Sequence, residues 1–407
     1  MAFNQLVSRS NTFGSSHQNS AAPKMVLTEL PNPPKDSISS LSFSTASNTL
    51  AGSSWDGTIS AWNIRPNPNY VYAPGSEQPT NVPAFIGETA FTAGQSGQSP
   101  PLLTCSWWHH EPMIVTGSAD HKVSLHNIQT NQTTQLGMHN APVSCSRALS
   151  FPSPMVVTSS WDKTIKYWDG RSPDAVSVVQ VPERVYLMDV RDNLLAVSLA
   201  NQQILVFDMT KSPNTPAYVL SPTADNTDPK NVRPAPINHY ANIGGVVNMD
   251  LGARRQHSAL AILRNNCLAY GTIEARVAIH YLDPAQHKAN GFTFRCHRVE
   301  PPNSPAQIFA VNSISVHQTH GTFVTCGSDG TYATWDKDSK TRLYRSQVHN
   351  SPFPPITASA INAQGNMLAF AAGDDWSQGY DPARMAQPVR VIIHHLIDSQ
   401  VVPRKKP

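Results

Sequence analysis

Hydrophobic and polar residues alternate along short segments of this chain, and each segment follows a turn that carries a polar residue. The clearest example is SSWDKTIKYWD, Ser159 to Asp169, in which Asp162 lies in the turn and residues 164–168 alternate. Alternation with a period of two places successive side chains on opposite faces, as in a half-buried β-strand. Similar segments begin at Gly52, Gly117 and Gly327, and weaker copies begin at Ser198 and Gly271.

The repeated unit is a small residue, a turn with Asp or Asn, and a strand that ends in an aromatic residue. This unit resembles the WD repeat, which predicts an all-β chain folded as a seven-bladed β-propeller. The predicted blades span approximately residues 38–64, 102–128, 143–169, 185–209, 246–282, 311–336 and 356–397. Residues 25–30 also alternate, and we expect them to pair with the last blade and close the ring without an exposed edge.

The composition divides the chain into three parts. Residues 1–24 are rich in Ser, Asn and Gln and predict a disordered polar tail, because they offer little apolar surface to bury. Residues 25–400 form the predicted propeller, and residues 401–407 form a short basic tail. Runs rich in Pro, Gly, Ser or Asn predict long loops at about 65–101, 211–242 and 374–388, the last being an insertion within blade seven.

Charge and cysteine content narrow the functional classes. The formal net charge is +3 and 14% of the residues are charged, which does not by itself imply nucleic-acid binding. The five cysteines are widely spaced and contain no CxxC pair, which favours a reducing compartment and buried thiols. The sequence shows neither a secretory signal nor an apolar run long enough to span a bilayer, so we expect a soluble protein without membrane insertion.

A polar network is expected in blade three. In WD repeats a histidine before the blade bonds to the Asp of the turn, and a serine and the strand tryptophan complete the chain of bonds. The candidates here are His139, Asp162, Ser160 and Trp168. The equivalent turn positions in other blades are Asp56, Asp120 and Asp329. We interpret all of these residues as structural, because a buried polar network is stable only when each member is satisfied.

We expect no metal site, cofactor or catalytic residue. The adjacent pairs His109-His110 and His394-His395 would point to opposite faces of a strand, and Cys296-His297 lacks partners at zinc spacing. GxSxG, Walker and HExxH motifs are absent, so we expect that the protein is not an enzyme.

Two segments mix aromatic and basic residues. In GFTFRCHR, Gly291 to Arg298, a strand would place Phe292 and Phe294 on one face. This segment is either a platform for nucleic acid or the outer strand of a blade, and its spacing favours the outer strand. The second segment, WDKDSKTR, residues 335–342, is interpreted as a solvated loop between blades.

Longer stretches resemble one particular group of propellers. IEARVAIHYLD, GFTFRCHR, HGTFVTCGSDGTYATWDKD, SSWDKTIKYWDGRSP and VPERVYLMDV are similar to the nuclear-pore mRNA export propellers and their sister family, the spindle-checkpoint propellers. The resemblance covers residues 36–397. It implies a non-enzymatic scaffold for export of poly(A) mRNA, located in the nucleus and at the nuclear pore complex, with some in the cytoplasm. The implied partners are a nucleoporin that carries a hairpin-forming GLEBS motif and, in addition, RNA or messenger ribonucleoprotein.

The alternative is a spindle-checkpoint adaptor that binds GLEBS segments of checkpoint kinases at kinetochores. The insertion GDDWSQGY, from Gly373, resembles the export branch, as do HNAPV before blade three and the polar tail with Phe13-Gly14. A second alternative is direct RNA binding as the main activity, and the mild net charge counts against it. A closed propeller needs no partner copy, so we expect a monomeric propeller within a heteromeric complex.

The resemblance also assigns candidate contact residues. Those for nucleic acid or an acidic partner are Phe294, Trp335, Asp336, Lys337 and Lys340, with the two lysines as charge contacts and Phe294 and Trp335 as apolar walls. Those for acidic side chains of the hairpin are Arg184, between blades three and four, and Arg276, within blade five.

Overall fold

A computed structural model describes residues 27–70, 82–108, 112–150, 153–172, 174–224, 235–300, 304–346 and 354–404. The predicted N-terminal tail and the pair His109-His110 lie outside the described residues, as does the end of the basic tail.

The described residues form a propeller of seven β-sheets. Strand β1 (Thr28–Glu29) precedes blade one, which contains β2 (Ile38–Phe43), β3 (Thr49–Ser54), β4 (Ile59–Pro66) and β5 (Phe85–Ala93). Blade two contains β6 (Leu102–Trp107), β7 (Met113–Ser118), β8 (Lys122–Asn127) and β9 (Gln132–Met138). Blade three contains β10 (Val143–Leu149), β11 (Met155–Ser160), β12 (Thr164–Trp168) and β13 (Ser177–Gln180). Blade four contains β14 (Val185–Arg191), β15 (Leu194–Leu199), β16 (Ile204–Asp208), β17 (Tyr218–Pro222) and β18 (Val247–Gly252).

The remaining blades include three short helices in their connections. Blade five contains β19 (His257–Leu263), β20 (Cys267–Thr272), β21 (Arg276–Tyr281), helix α1 (Pro284–Asn290) and β22 (Phe292–Arg295). A two-stranded hairpin of β23 (Arg298–Val299) and β24 (Gln307–Ile308) leads to blade six. Blade six contains β25 (Val311–Val316), β26 (Phe323–Gly327), β27 (Tyr332–Asp336) and β28 (Thr341–Arg345). Blade seven contains β29 (Ile356–Ile361), β30 (Met367–Ala372), helix α2 (Pro382–Met385) and β31 (Arg390–His395), and helix α3 (Asp398–Val401) follows.

The ring closes as the sequence predicts. The first strand of each blade contacts the first strand of both neighbouring blades, so seven inner strands surround a central channel. Strand β1 pairs antiparallel with β31, with Thr28 opposite Ile393, and the Leu30 amide donates to the Val391 carbonyl over 2.8 Å. Blade seven therefore takes its outer strand from the N-terminal side of the chain, and the prediction of an all-β seven-bladed propeller is confirmed.

Two predicted loops contain outer strands instead. Strand β5 lies within the predicted loop 65–101 and pairs along the whole length of β4. Strand β17 lies within the predicted loop 211–242 and pairs with β16. The prediction was wrong there because it followed the Pro- and Gly-rich composition, whereas Phe85 and Phe91 are buried and fix a strand between them.

Blade five begins at His257 and not near Val246. The segment Val247–Gly252 pairs in parallel with β17 and becomes the fifth strand of blade four. Its side chains alternate between half-buried and exposed, whereas the residues of β19 are almost all buried, as an inner strand requires.

The segment 337–340 is a turn within blade six, so its interpretation as a loop between blades was wrong. It joins β27 to β28, which pair with each other through Asp336 and Thr341. The predicted insertion 374–388 does lie between β30 and β31, and it contains helix α2.

The propeller has two faces. The upper face, as defined here, contains the starts of the inner strands and the turns between second and third strands. The lower face contains the ends of the inner strands and the turns between third and fourth strands. Clusters of Val, Ile, Leu and Ala fill the spaces between the sheets. Within the described residues no helix is long and apolar enough to cross a membrane.

Candidate partner-binding surfaces

The predicted polar network of blade three is present, with one change of member. His139 Nδ1 lies 3.1 Å from Asp162 Oδ2, and His139 Nε2 lies 2.8 Å from Thr158 Oγ1. Trp168 Nε1 donates to the same threonine oxygen over 2.8 Å. The assignment of Ser160 to this relay was wrong, because Ser160 donates to the Ala141 carbonyl and accepts from the Asp162 amide.

A second copy of the network ties blade five to blade six. His297 Nδ1 lies 2.8 Å from Asp329 Oδ1, His297 Nε2 lies 2.9 Å from Thr325 Oγ1, and Trp335 Nε1 donates to Thr325 over 2.9 Å. The sequence identified Asp329 but not His297 as a member. These four side chains are hydrogen-bonded in one chain, from Asp329 through His297 and Thr325 to Trp335, which gives them a structural role.

The other turn carboxylates have simpler surroundings. Asp56 accepts from the amide and hydroxyl of Thr58 and from the Lys35 amide. Asp120 bonds to Ser118 and, over 2.6 Å, to Lys122. Among the residues that the structure describes, no group of three or more His, Cys, Asp or Glu side chains converges as a metal site would require.

The five candidates for nucleic acid lie around the lower edge of blades five and six, but four of them, Phe294, Trp335, Asp336 and Lys337, are buried. Phe294 and Trp335 are 1% and 2% exposed, and their ring centroids lie 4.6 Å apart. Strand β22 is therefore the outer strand of blade five, with Phe294 inside and Arg295 outside, which confirms the favoured interpretation of GFTFRCHR. Lys337 is 3% exposed, lies 2.6 Å from Asp338 and sits over the Tyr281 ring.

Internal contacts also occupy Asp336, and cations remain at the rim of this edge. The Asp336 carboxylate accepts from the Asp338 amide and the Ser339 hydroxyl, which caps the turn. Lys340 Nζ lies 4.9 Å from the centre of the Phe292 ring. The Arg342 guanidinium lies 6.0 Å from the Trp335 ring and its residue is exposed. Of the cations in the segment 335–342, Lys340 and Arg342, rather than Lys337, are thus the ones presented at this edge.

The upper mouth of the channel presents aromatic side chains that the sequence analysis did not single out. Trp55, Trp161 and Trp376 are 43%, 40% and 43% exposed, and with Tyr186 they line a cavity of about 590 Å³. Trp161 and Tyr186 pack edge to face with ring centroids 6.4 Å apart. Exposed aromatic rings around a concave opening are typical of a surface that receives an apolar side chain from a partner.

The insertion in blade seven holds Trp376 in place. Asp375 accepts from Asn312 over 2.9 Å and from the Ser328 hydroxyl, both in blade six. The Asp374 carbonyl accepts from Ser37 over 2.6 Å. Burial opposes the charge of Asp375, but these hydrogen bonds outweigh it and lower the pKa of the carboxyl. Trp376 has a φ of 59°, a conformation that an aromatic residue adopts only when its surroundings impose it.

The two predicted arginine contacts both lie on this upper face. The side chain of Arg184 is 55% exposed, two residues before Tyr186. Arg276 lines a cleft of about 450 Å³ between blades four and five, together with Arg255 and Arg295. Burial lowers the pKa of the Arg276 guanidinium, and the two neighbouring arginines add to this effect. Glu274 lies 3.2 Å from Arg255 and offsets only one of these three positive charges. The cleft therefore remains positively charged and is suited to bind a carboxylate from a partner.

The sequence did contain a signal for the aromatic mouth. Trp55 and Trp161 directly precede the turn aspartates, and Trp376 directly follows Asp375. A bulky apolar residue at the tip of a polar turn points to solvent rather than to a core. The SSWD motif thus identifies the repeat and also places a tryptophan at the tip of its turn.

Comparison with known proteins gives a consistent set of relatives. A family model of the WD domain, G-beta repeat, matches residues 25–63 and 130–169. The chain is 32% identical over 380 residues to "Protein Rae1" of Drosophila melanogaster, covering 91% of this chain and 94% of that protein. It is 32% identical over 380 residues to the "Poly(A)+ RNA export protein" of Schizosaccharomyces pombe, covering 93% of each. It is 32% identical over 381 residues to "mRNA export factor GLE2" of Chaetomium thermophilum, covering 92% of each. Neither the family model nor these names indicate an enzyme.

Proposed function

Since the chain belongs to the family of WD-repeat mRNA export factors, we propose that it is a non-enzymatic scaffold at the nuclear pore. In this proposal the propeller binds a GLEBS hairpin of a nucleoporin on its upper face and thereby holds messenger ribonucleoprotein at the pore during export of poly(A) mRNA. The protein is then found in the nucleus and at the nuclear envelope, with a smaller cytoplasmic fraction.

The aromatic mouth of the channel carries this proposal. Three tryptophans from blades one, three and seven surround one opening, and each is about two-fifths exposed. Large apolar surfaces of this kind are costly in water and supply most of the binding energy when a partner covers them. The turns that hold Trp55 and Trp161 are fixed by hydrogen bonds, so little conformational freedom is lost on binding.

Charge completes the surface and fixes the orientation of the hairpin. Arg184 lies beside the aromatic mouth, and Arg276 lies in the positively charged cleft between blades four and five. Acidic side chains of the hairpin meet these two arginines while its apolar residues cover the tryptophans. Such charge pairs contribute more to specificity and register than to affinity.

The lower edge of blades five and six forms a second proposed surface, for RNA or an acidic mimic of it. Lys340 and Arg342 lie over aromatic rings there, so each cation has a fixed position. Fixed cations beside an aromatic surface match a phosphate backbone with neighbouring bases. The hairpin and a nucleic acid would then occupy opposite faces and bind at the same time.

The checkpoint adaptor is the competing function, and one binding experiment separates the two. Calorimetry is carried out with a nucleoporin GLEBS hairpin and with a checkpoint-kinase GLEBS hairpin, each added to the full chain. We expect tight binding of the nucleoporin hairpin and binding of the kinase hairpin at least about tenfold weaker, a difference of about 1.4 kcal/mol. The reverse preference would assign the protein to kinetochores.

A further inference from the structure

The lower mouth of the central channel contains more positive than negative charge. A cavity of about 330 Å³ opens there, and its lining includes Arg147, Arg191 and Asp189. Among the described residues that line it, two arginines face one carboxylate. This cavity lies at the opposite end of the channel from the aromatic mouth, which is lined by the starts of the inner strands.

Arg191 has few acceptors for its guanidinium. Its side chain is 14% exposed, its Nη1 donates to the Ile262 carbonyl over 3.5 Å, and its Nε lies 3.8 Å from Asp192 Oδ2. The side chain of Asp192 is 85% exposed, so water screens that weak ion pair. Burial lowers the pKa of Arg191, the charges of Asp192 and Asp189 oppose this effect, and Arg264 nearby adds to it. A half-buried guanidinium with five donors can bond to a further acceptor beside these partners.

Asp189 is bonded to groups other than Arg191, although its charge also acts on that guanidinium. Its Oδ2 accepts from the Ile262 amide over 2.8 Å, and its Oδ1 lies 3.6 Å from Arg147 Nε. Arg147 in addition donates to the Ser146 carbonyl over 2.8 Å. Arg147 from blade three and Arg191 from blade four therefore line one shared cavity.

The cavity also has room for water around an anion. Ser42 lines it, whereas the hydroxyl of Ser106 donates to Ser146 and the hydroxyl of Ser315 is bonded to Ser359. The volume is far larger than the roughly 30 Å³ that one water occupies, so an oxyanion and several waters fit together. Planar guanidinium groups match tetrahedral oxyanions because two N–H donors reach two oxygens at once.

We propose that the lower mouth of the channel is a binding site for a small free oxyanion of the phosphate class, held between Arg147 and Arg191. The anion connects blades three and four. Blade five is linked to the same site because its Ile262 amide donates to Asp189 of blade four. Its binding thus stabilises the ring where the inner strands converge. This site is independent of the hairpin surface on the upper face.

Titration with inorganic phosphate and with pyrophosphate, at constant ionic strength, tests the proposal on the full chain. We expect saturable binding to one site and an unfolding temperature that rises with anion concentration, because the anion binds only the folded state. Replacing Arg191→Gln removes charge-assisted hydrogen bonds and should raise the dissociation constant by about tenfold or more. Arg191→Lys keeps the charge but loses the fork, and should weaken binding less.

Matched variants make the test decisive. Lys211→Gln removes a positive charge from an exposed position of blade four, away from the cavity, and should leave anion binding unchanged. Gln318→Glu places a carboxylate at the exposed rim of the cavity and should weaken binding without disturbing the core, even if Arg191→Gln fails to fold. Non-saturable heats, or equal binding by the native chain and the Arg191 and Gln318 variants, would show an adventitious ion only and overturn the proposal.

Discussion

His297 Nδ1 lies 2.8 Å from Asp329 Oδ1, so that the connection leaving blade five is bonded to the turn of blade six. His139 and Asp162 repeat this relationship at 3.1 Å between the connection leaving blade two and blade three. In both copies a threonine hydroxyl joins the histidine to the strand tryptophan. Neighbouring blades are thus fixed to each other by side chains as well as by apolar packing.

Replacing Thr325→Val should destabilise the propeller by about 2–4 kcal/mol, because it leaves both the His297 and Trp335 ring nitrogens buried without their partner. The free energy of unfolding from urea titrations measures this loss. Thr130→Val, at an exposed position after β8, is the control and should change stability by less than about 0.5 kcal/mol. Equal stability of the two variants would mean that the network contributes nothing.

The sequence was sufficient for the blades but not for the partners within them. Alternation along residues 164–168 identified β12, and the recurrence of that pattern gave the number of blades. The choice between Ser160 and Thr158 depended on register: Trp168 pairs with Val156, so Thr158 lies two residues further along the same face, whereas Ser160 lies four residues from Val156. Register is set by strand pairing, which one strand's sequence does not contain.

Which residues form the contact surfaces likewise depends on the packing of neighbouring blades, which the sequence of one segment does not contain. The resemblance implied that Lys337 is a charge contact, a role that requires an exposed lysine. Its burial results from Tyr281 and Asp338, of which Tyr281 comes from blade five. Arg184 and Arg276 remain predicted contacts of the hairpin, and the cleft that Arg276 shares with Arg255 and Arg295 depends on how blades four and five meet.

Stability should fall as the pH is lowered from about 6.5 to about 4. Burial lowers the pKa of His126 and of His257 to about 4, so the unfolded chain binds protons in this window that the folded chain does not. Each histidine then contributes roughly 1–3 kcal/mol of stability at neutral pH that is lost across the window, with no further loss from these groups below it. Urea titrations at several pH values measure the slope.

His126→Gln is the matched variant for this dependence and should reduce the slope, since it removes one of the buried titrating groups. His239→Gln, at an exposed position, should leave the slope as it is in the native chain. A slope that is the same in all three proteins would contradict the assignment of a buried neutral state to His126.

At the lower edge of blades five and six, Lys340→Gln should weaken binding of poly(A). It should also reduce the slope of log K against log salt concentration by about one, because one phosphate contact is lost. Lys337→Met should leave that slope unchanged, because its ammonium group is buried against Asp338 and Tyr281. Filter binding over a range of salt concentrations measures both variants. A slope that changes as much for Lys337→Met as for Lys340→Gln would show that the turn rearranges to expose Lys337.

The most direct measurement for the proposed docking surface is the affinity of a nucleoporin GLEBS hairpin for Trp161→Ala, determined by calorimetry beside the native chain. Removing a central aromatic anchor should cost about 2 kcal/mol or more, which is roughly thirtyfold in the dissociation constant. Val178→Ala, an exposed apolar residue on the outer edge of the same blade, is the control and should bind like the native chain. A Trp161 variant with undiminished affinity would contradict docking of the hairpin over the aromatic mouth of the channel.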